Sequence, residues 1–158
     1  MPRHLQNSEQ KGKKMKLVLG YNGSNSSKKA LALVQKYAKN FNATVHILAS
    51  LTGEKKPQEA ASLTTLKAIN EEVDAVKEME SRLQYAKKTL AKEGITCETH
   101  LFVRGLEPGD DIVIFAKEVN ADFIVMGIGK TSRVGKLLFG SNAQYVILEA
   151  TCPVITVK

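Results

Sequence analysis

Phe123-Ile124-Val125-Met126-Gly127-Ile128-Gly129-Lys130-Thr131-Ser132-Arg133-Val134-Gly135-Lys136-Leu137-Leu138-Phe139-Gly140-Ser141-Asn142 reads as a buried strand, a glycine-rich turn and the opening of a helix. A short apolar run without polar alternation suits a parallel strand covered on both faces. The glycines allow close approach of the backbone to a ligand and present N–H groups as a nest for anions. Gly140-Ser141-Asn142 starts a helix, where unpaired N–H groups and the dipole favour negative charge, and Ser141 adds a hydroxyl. Lys130 and Arg133 bring positive charge to the same loop. Two glycine features flanking a basic segment after a strand point to a phosphate-bearing ligand. The rival reading is a tight turn with Ser141 as a helix cap.

Upstream, strand and helix alternate. Lys16–Asn22 reads as the first strand, broken by Asn22-Gly23-Ser24. A helix from about Asn25 to Asn40 carries Ala30, Leu33, Val34, Tyr37 and Phe41 on one face. Ala43–Ser50 is the second strand. After a polar connection, a long helix over 63–93 shows an apolar stripe of Ile69, Val73, Val76, Met79, Leu83, Ala86 and Leu90, and Gly94 supplies a left-handed stop. Ile95–Val103 is the third strand, followed by a helix starting at Asp110 or Asp111 and the fourth strand, Phe123–Met126. A helix with Ala143, Val146, Ile147 and Ala150 inward precedes the last strand, Val154–Val157. Five strands joined by helical crossovers predict a Rossmann-like, doubly wound parallel α/β sheet with helices on both faces. Such sheets bind ligands beyond the carboxyl ends of their strands, where the strand order reverses.

The 158 residues fit one domain, with 43% hydrophobic and 25% charged residues, as in ordinary globular proteins. Residues 1–15 are polar and basic and read as a disordered extension, leaving 16–158 as the folded domain. No apolar run approaches the roughly 20 residues of a membrane span, and no signal-peptide core is present. Cys97 and Cys152 form no metal-type pair and read as buried, reduced thiols of a cytoplasmic protein. The formal net charge of +7 suggests nucleic acid, but part of it sits in the N-terminal extension and the rest is scattered among acidic neighbours. With no basic stripe interleaved with aromatics, the distribution argues against a nucleic-acid partner.

Gly129-Lys130-Thr131 imitates the end of a Walker A loop, but Ile124 stands where that motif needs its first glycine. No nucleophile elbow, carboxylate pair or serine–histidine arrangement stands out, and no SGGxDS-type signature follows the first strand. The chain is therefore not read as an enzyme, beyond slow hydrolysis of a bound nucleotide.

The chain resembles the universal stress protein family from Lys16 to Lys158. Four separated signatures carry the resemblance: Tyr21-Asn22-Gly23-Ser24 with Ser27 and Ala30-Leu31; Ala121-Asp122-Phe123-Ile124-Val125-Met126-Gly127; Leu137-Leu138-Phe139-Gly140-Ser141; and Cys152-Pro153-Val154-Ile155-Thr156-Val157. The resemblance implies strand order 3-2-1-4-5, adenine-nucleotide binding (ATP or a relative, with Mg²⁺ an option) and a homodimer formed through the last strand. A protein partner is implied as well, for a regulatory role in the stress response.

Carried over by position, the resemblance places Asn22 at the ribose, the Ser50 backbone at adenine, and Gly127, Gly129, Gly140 and Ser141 at the phosphates. Lys130, Arg133 and Asn142 complete the set. Two departures stand out. In the ATP-binding branch the loop reads GxxG, then nine residues, then G(S/T); here the inner glycine is Gly129, with Lys130 at the family's position. Asn22 stands where Asp is usual and offers a neutral amide in place of a carboxylate. These departures favour the alternative of a nucleotide-free dimeric interaction module. In the implied order, His46 and His100 lie on neighbouring strands. With no carboxylate or cysteine at ligand spacing, they read as hydrogen-bonded core and not as a metal site.

Overall fold

A computed structural model of the chain describes residues 12–52, 63–129, 131–133, 136–138 and 140–158. Side chains of 63–65, 131–133 and 136–138 lie outside the description. In chain order the elements are β1 (Lys16–Gly20), α1 (Asn25–Phe41), β2 (Thr44–Ser50), α2 (Leu63–Ala91), β3 (Cys97–Phe102), α3 (Pro108–Glu118), β4 (Phe123–Gly127), β5 (Thr131–Arg133), β6 (Lys136–Leu138), α4 (Ser141–Glu149) and β7 (Val154–Val157).

Five strands form an all-parallel sheet in the order β3-β2-β1-β4-β7, the expected 3-2-1-4-5 arrangement. The turn after β4, expected as a plain loop, contains a two-stranded antiparallel hairpin of β5 and β6. Met15, placed by its sequence in the extension, already belongs to the packed structure. Its carbonyl accepts from Thr44 N at 2.8 Å and its side chain lies on the core. Asp122 anchors the opposite neighbour of β1: its Oδ2 accepts from Lys16 N at 2.8 Å, and its own N–H donates to Lys16 O.

Alternation along the strands divides the core in two. Leu17, Leu19, Val45, Ile47 and Val125 face Ala30, Leu31 and Val34 of α1 and Met79, Leu83, Ala86 and Leu90 of α2. Val18, Leu48, Ile124 and Met126 face Ile112, Phe115 and Ala116 of α3 and Ala143 and Val146 of α4. Each fully buried aliphatic side chain here contributes about 1.5–3 kcal/mol.

On α1 and α4, three expected core positions lie at the surface. Tyr37 and Phe41 are exposed and stack with ring centroids 6.2 Å apart, and Ile147 is exposed on α4. The stripe of α2 is buried only from Met79 onward, whereas Leu66, Ile69 and Val73 are exposed. The reason is length. The 29 residues of α2 run about 43 Å, whereas the seven-residue β2 covers only about 23 Å, so the first half of the helix overhangs the sheet. Gly94 does close this helix, with φ +71. Both cysteines are free and half-buried, and burial pushes both thiols up.

Candidate functional site

The strand order reverses between β1 and β4, and a cleft of about 340 Å³ opens there at the carboxyl ends of β1, β2 and β4. Its apolar surface comes from Tyr21, Leu48, Leu51, Met79, Ile112 and Met126, and its polar rim includes Asn22, Ser27, Ser50 and Asn142. The volume lies within the range of roughly 300–1,000 Å³ usual for small-molecule sites. Burial pushes the Tyr21 phenol up, so it lines the cleft uncharged.

Of the residues singled out by sequence, Asn22, Ser50, Gly127, Gly129, Gly140 and Asn142 all line this one cleft. Ser141 is exposed as the first residue of α4, just beside it. Lys130 lies outside the described residues, as does the side chain of Arg133.

Local chemistry explains how each segment arrives. After β1, Gly23 turns the chain with φ +80, a conformation costly for any side chain. Asn22 Oδ1 accepts from Ser24 N at 3.0 Å, so its side-chain carbonyl shapes the turn. Ser24 then caps α1, its Oγ accepting from Ser27 N at 3.2 Å. At the end of β4, Gly127 lies directly against this first helical turn. A Cβ there would stand 2.3 Å from Ser26 C and 2.5 Å from both Ser26 O and Ser27 N. The first glycine of the loop therefore has a packing role, whereas a Cβ at Gly129 or Gly140 would meet nothing within 4 Å.

Gly140 is the N-cap of α4 and brings no side-chain cap. Neither α1 nor α4 carries an acidic residue in its first turn. Two helix N-termini thus border the cleft with their partial positive charge uncompensated by carboxylates of their own first turns. Asn142 holds α4 against α3, its Oδ1 accepting from Gly109 N at 2.9 Å.

The opposite rim rests on a group that sequence reasoning missed. Ser50 Oγ donates to Asp111 Oδ2 at 2.5 Å, and Arg104 Nε donates to Asp111 Oδ1 at 2.6 Å. Asp111 is fully buried, and the Arg104 guanidinium lies 4.3 Å above the Phe102 ring. The overlooked signal was Pro108. Proline favours the first helical position, so α3 starts there and turns Asp111 inward instead of leaving it as the cap. Arg82 of α2 was also missed: its Nη1 donates to Asn22 O at 2.9 Å, and its Nη2 pairs with Glu78.

Comparison with known proteins agrees with the fold. The chain matches the family model described as "Universal stress protein family" over residues 14–158. It is 31% identical over 149 residues to the universal stress protein YxiE of Bacillus subtilis, covering 90% of this chain and 98% of that one. A universal stress protein structure from Archaeoglobus fulgidus superposes with a TM-score of 0.71 at 35% identity, over 91% of this chain and 93% of that one. A second, from the same organism and in complex with dAMP, gives 0.67 at 34% identity, over 91% and 98%. The chain belongs to the universal stress protein family.

Among the described residues, no helix is long and apolar enough to cross a membrane.

Proposed function

We propose that this chain is a non-catalytic regulatory protein that binds an adenine nucleotide in the cleft between β1 and β4. The carrying observation is convergence. Asn22, Ser50, Gly127, Gly129, Gly140 and Asn142 come from four separate parts of the chain and line one ligand-sized cleft at the strand-order reversal. The Archaeoglobus fulgidus relative that was solved with dAMP supports a nucleoside monophosphate or a longer nucleotide as ligand. In this reading the base lies near Ser50 and the ribose near Asn22. The phosphates lie along Gly127, Gly129, Gly140 and Ser141, with Lys130 and Arg133 supplying charge and ATP with Mg²⁺ as the fullest ligand. The protein acts in the cytoplasm as a homodimer whose state a protein partner reads.

Calorimetric titration with AMP, dAMP and ATP, with and without Mg²⁺, tests this. Saturable heat is expected, and Gly140→Ala should weaken binding about tenfold by crowding the phosphate, while the loss of the glycine N-cap costs about 1 kcal/mol of stability at most. No heat and no thermal shift at millimolar nucleotide would remove the reading. The alternative, a nucleotide-free dimeric module, draws on Asn22: its carbonyl oxygen is already engaged by Ser24. Partner binding indifferent to added nucleotide would favour it.

The proposed dimer uses the free edge of β7. Ile124 N donates to Pro153 O and Ile128 N to Val157 O, so odd-numbered residues of β7 bond β4 and the backbone groups of Val154 and Thr156 face outward. Thr156→Pro removes one outward donor and spares the β4 ladder, a substitution tolerated at edges. Sedimentation should show the parent as a dimer and this variant as a monomer at micromolar concentration. A monomeric parent would refute the dimer.

A further inference from the structure

At the far edge of the sheet, three side chains outside the cleft converge. His46 of β2 stands directly opposite Glu98 of β3, and His100 follows two residues later on the same face of the strand. The carboxylate that the histidine pair lacked in the sequence is therefore Glu98. His46 Nδ1 and His100 Nε2 are 3.2 Å apart, and Glu98 Oε2 lies 3.5 Å from the first and 3.8 Å from the second. Zinc bonds to imidazole nitrogen and carboxylate oxygen run about 2.0–2.2 Å, so two ligands of one tetrahedral ion stand about 3.3–3.6 Å apart. The three measured separations bracket that edge length.

The surroundings suit such a site. Phe115 of α3 packs on both rings, at centroid distances of 5.5 Å from His46 and 4.5 Å from His100. This apolar wall fixes the two rings beside each other. Glu98 reaches the set from the solvent side, its side chain 62% exposed. No other group of three or more His, Cys, Asp or Glu ligand atoms gathers in this way among the described residues.

We infer that His46, Glu98 and His100 form a binding site for a divalent transition-metal ion of the zinc class. Two imidazoles and one carboxylate suit zinc, cobalt or nickel better than magnesium or calcium, which prefer oxygen ligands. Three protein ligands leave a fourth position, and the exposed side of Glu98 opens it to water. The ion would clip the edge strand β3 to β2. This site is independent of nucleotide binding.

The test uses the full chain, freed of metal with a chelator, with Cys97→Ser and Cys152→Ser introduced to remove thiol ligands. Calorimetry with Zn²⁺ should give one saturable site, and Co²⁺ should give the visible absorption of a four-coordinate ion. Glu98→Gln, an exposed change that preserves the fold, should weaken Zn²⁺ by ~10–100-fold, at least what loss of an outer-shell partner produces. His100→Gln should abolish the Co²⁺ band, with circular dichroism checking the fold. Magnesium should produce neither signal. Absence of saturable Zn²⁺ binding, or equal affinity in the parent and Glu98→Gln, overturns the site and leaves a hydrogen-bonded histidine pair.

Discussion

Replacing Gly127 with alanine is expected to cost about 2–3 kcal/mol of stability, the range for forcing a methyl group into a filled interior. The new Cβ would lie 2.3 Å from Ser26 C and 2.5 Å from Ser26 O and Ser27 N. These are backbone atoms in the first turn of a helix, with no flexible tip that can swing aside. The turn is also held by Ser24, whose Oγ accepts from Ser27 N, and by Ala30, Leu31 and Val34 in the core just beyond. Relief therefore requires the end of β4 or the whole start of α1 to move.

Denaturant unfolding should show a lower midpoint at an unchanged slope, and the melting temperature should fall by roughly 5–10 °C. Gly129→Ala and Gly140→Ala are the matched controls. Both sites are open and neither glycine has a positive φ, so Gly129→Ala should stay within about 0.5 kcal/mol of the parent, and Gly140→Ala, at the N-cap of α4, should lose about 1 kcal/mol at most. Three equal losses would refute the assignment of Gly127 to packing. The contrast also separates the two functions of the loop's glycines: the first lets β4 meet α1, and the later ones leave room for a ligand.

Arg104→Ala is expected to destabilise by about 2–3 kcal/mol. Removing one partner of a fully buried ion pair typically costs roughly 3–5 kcal/mol, because the other charge is left without compensation. Asp111 is wholly buried, but Arg104 keeps 40% exposure, and solvent already screens part of the attraction. The Ser50 hydroxyl remains on Asp111 Oδ2 and softens the loss further. Ser50→Ala alone should cost about 1 kcal/mol.

A double-mutant cycle provides the decisive measurement. With Asp111→Asn the buried charge is gone, so adding Arg104→Ala should then cost less than about 1 kcal/mol. Simple additivity of the two losses would show that Arg104 acts through packing on Phe102 and not through Asp111. Because this network ties the end of β2 to the first turn of α3, it also sets the cleft's width. Nucleotide affinity should fall in Arg104→Ala even where the protein remains folded.

Much of this molecule is written locally. The apolar runs Leu17–Leu19, Ile47–Ala49 and Ile124–Met126, with helical spacings between them, are enough to imply a parallel sheet, because only strands covered on both faces dispense with polar alternation. Gly23 and Gly94 likewise announce turns that need positive φ. Helix ends were less legible. Pro108 and Asp111 compete to start α3, and the outcome turns on whether the aspartate finds partners inside, which depends on Ser50 and Arg104.

The sequence by itself determined the alternation of strand and helix, the two-faced core and the position of the glycine-rich turn after β4. These follow from side-chain periodicity and backbone freedom, which are properties of neighbouring residues. The tertiary structure alone decided which glycine packs against α1, where the overhang of α2 begins and which carboxylate stands between His46 and His100. Each of these depends on a distance between segments brought together by strand order. Glu98 illustrates the difference: it is two residues from His100 in sequence, but only the β2–β3 register sets it opposite His46.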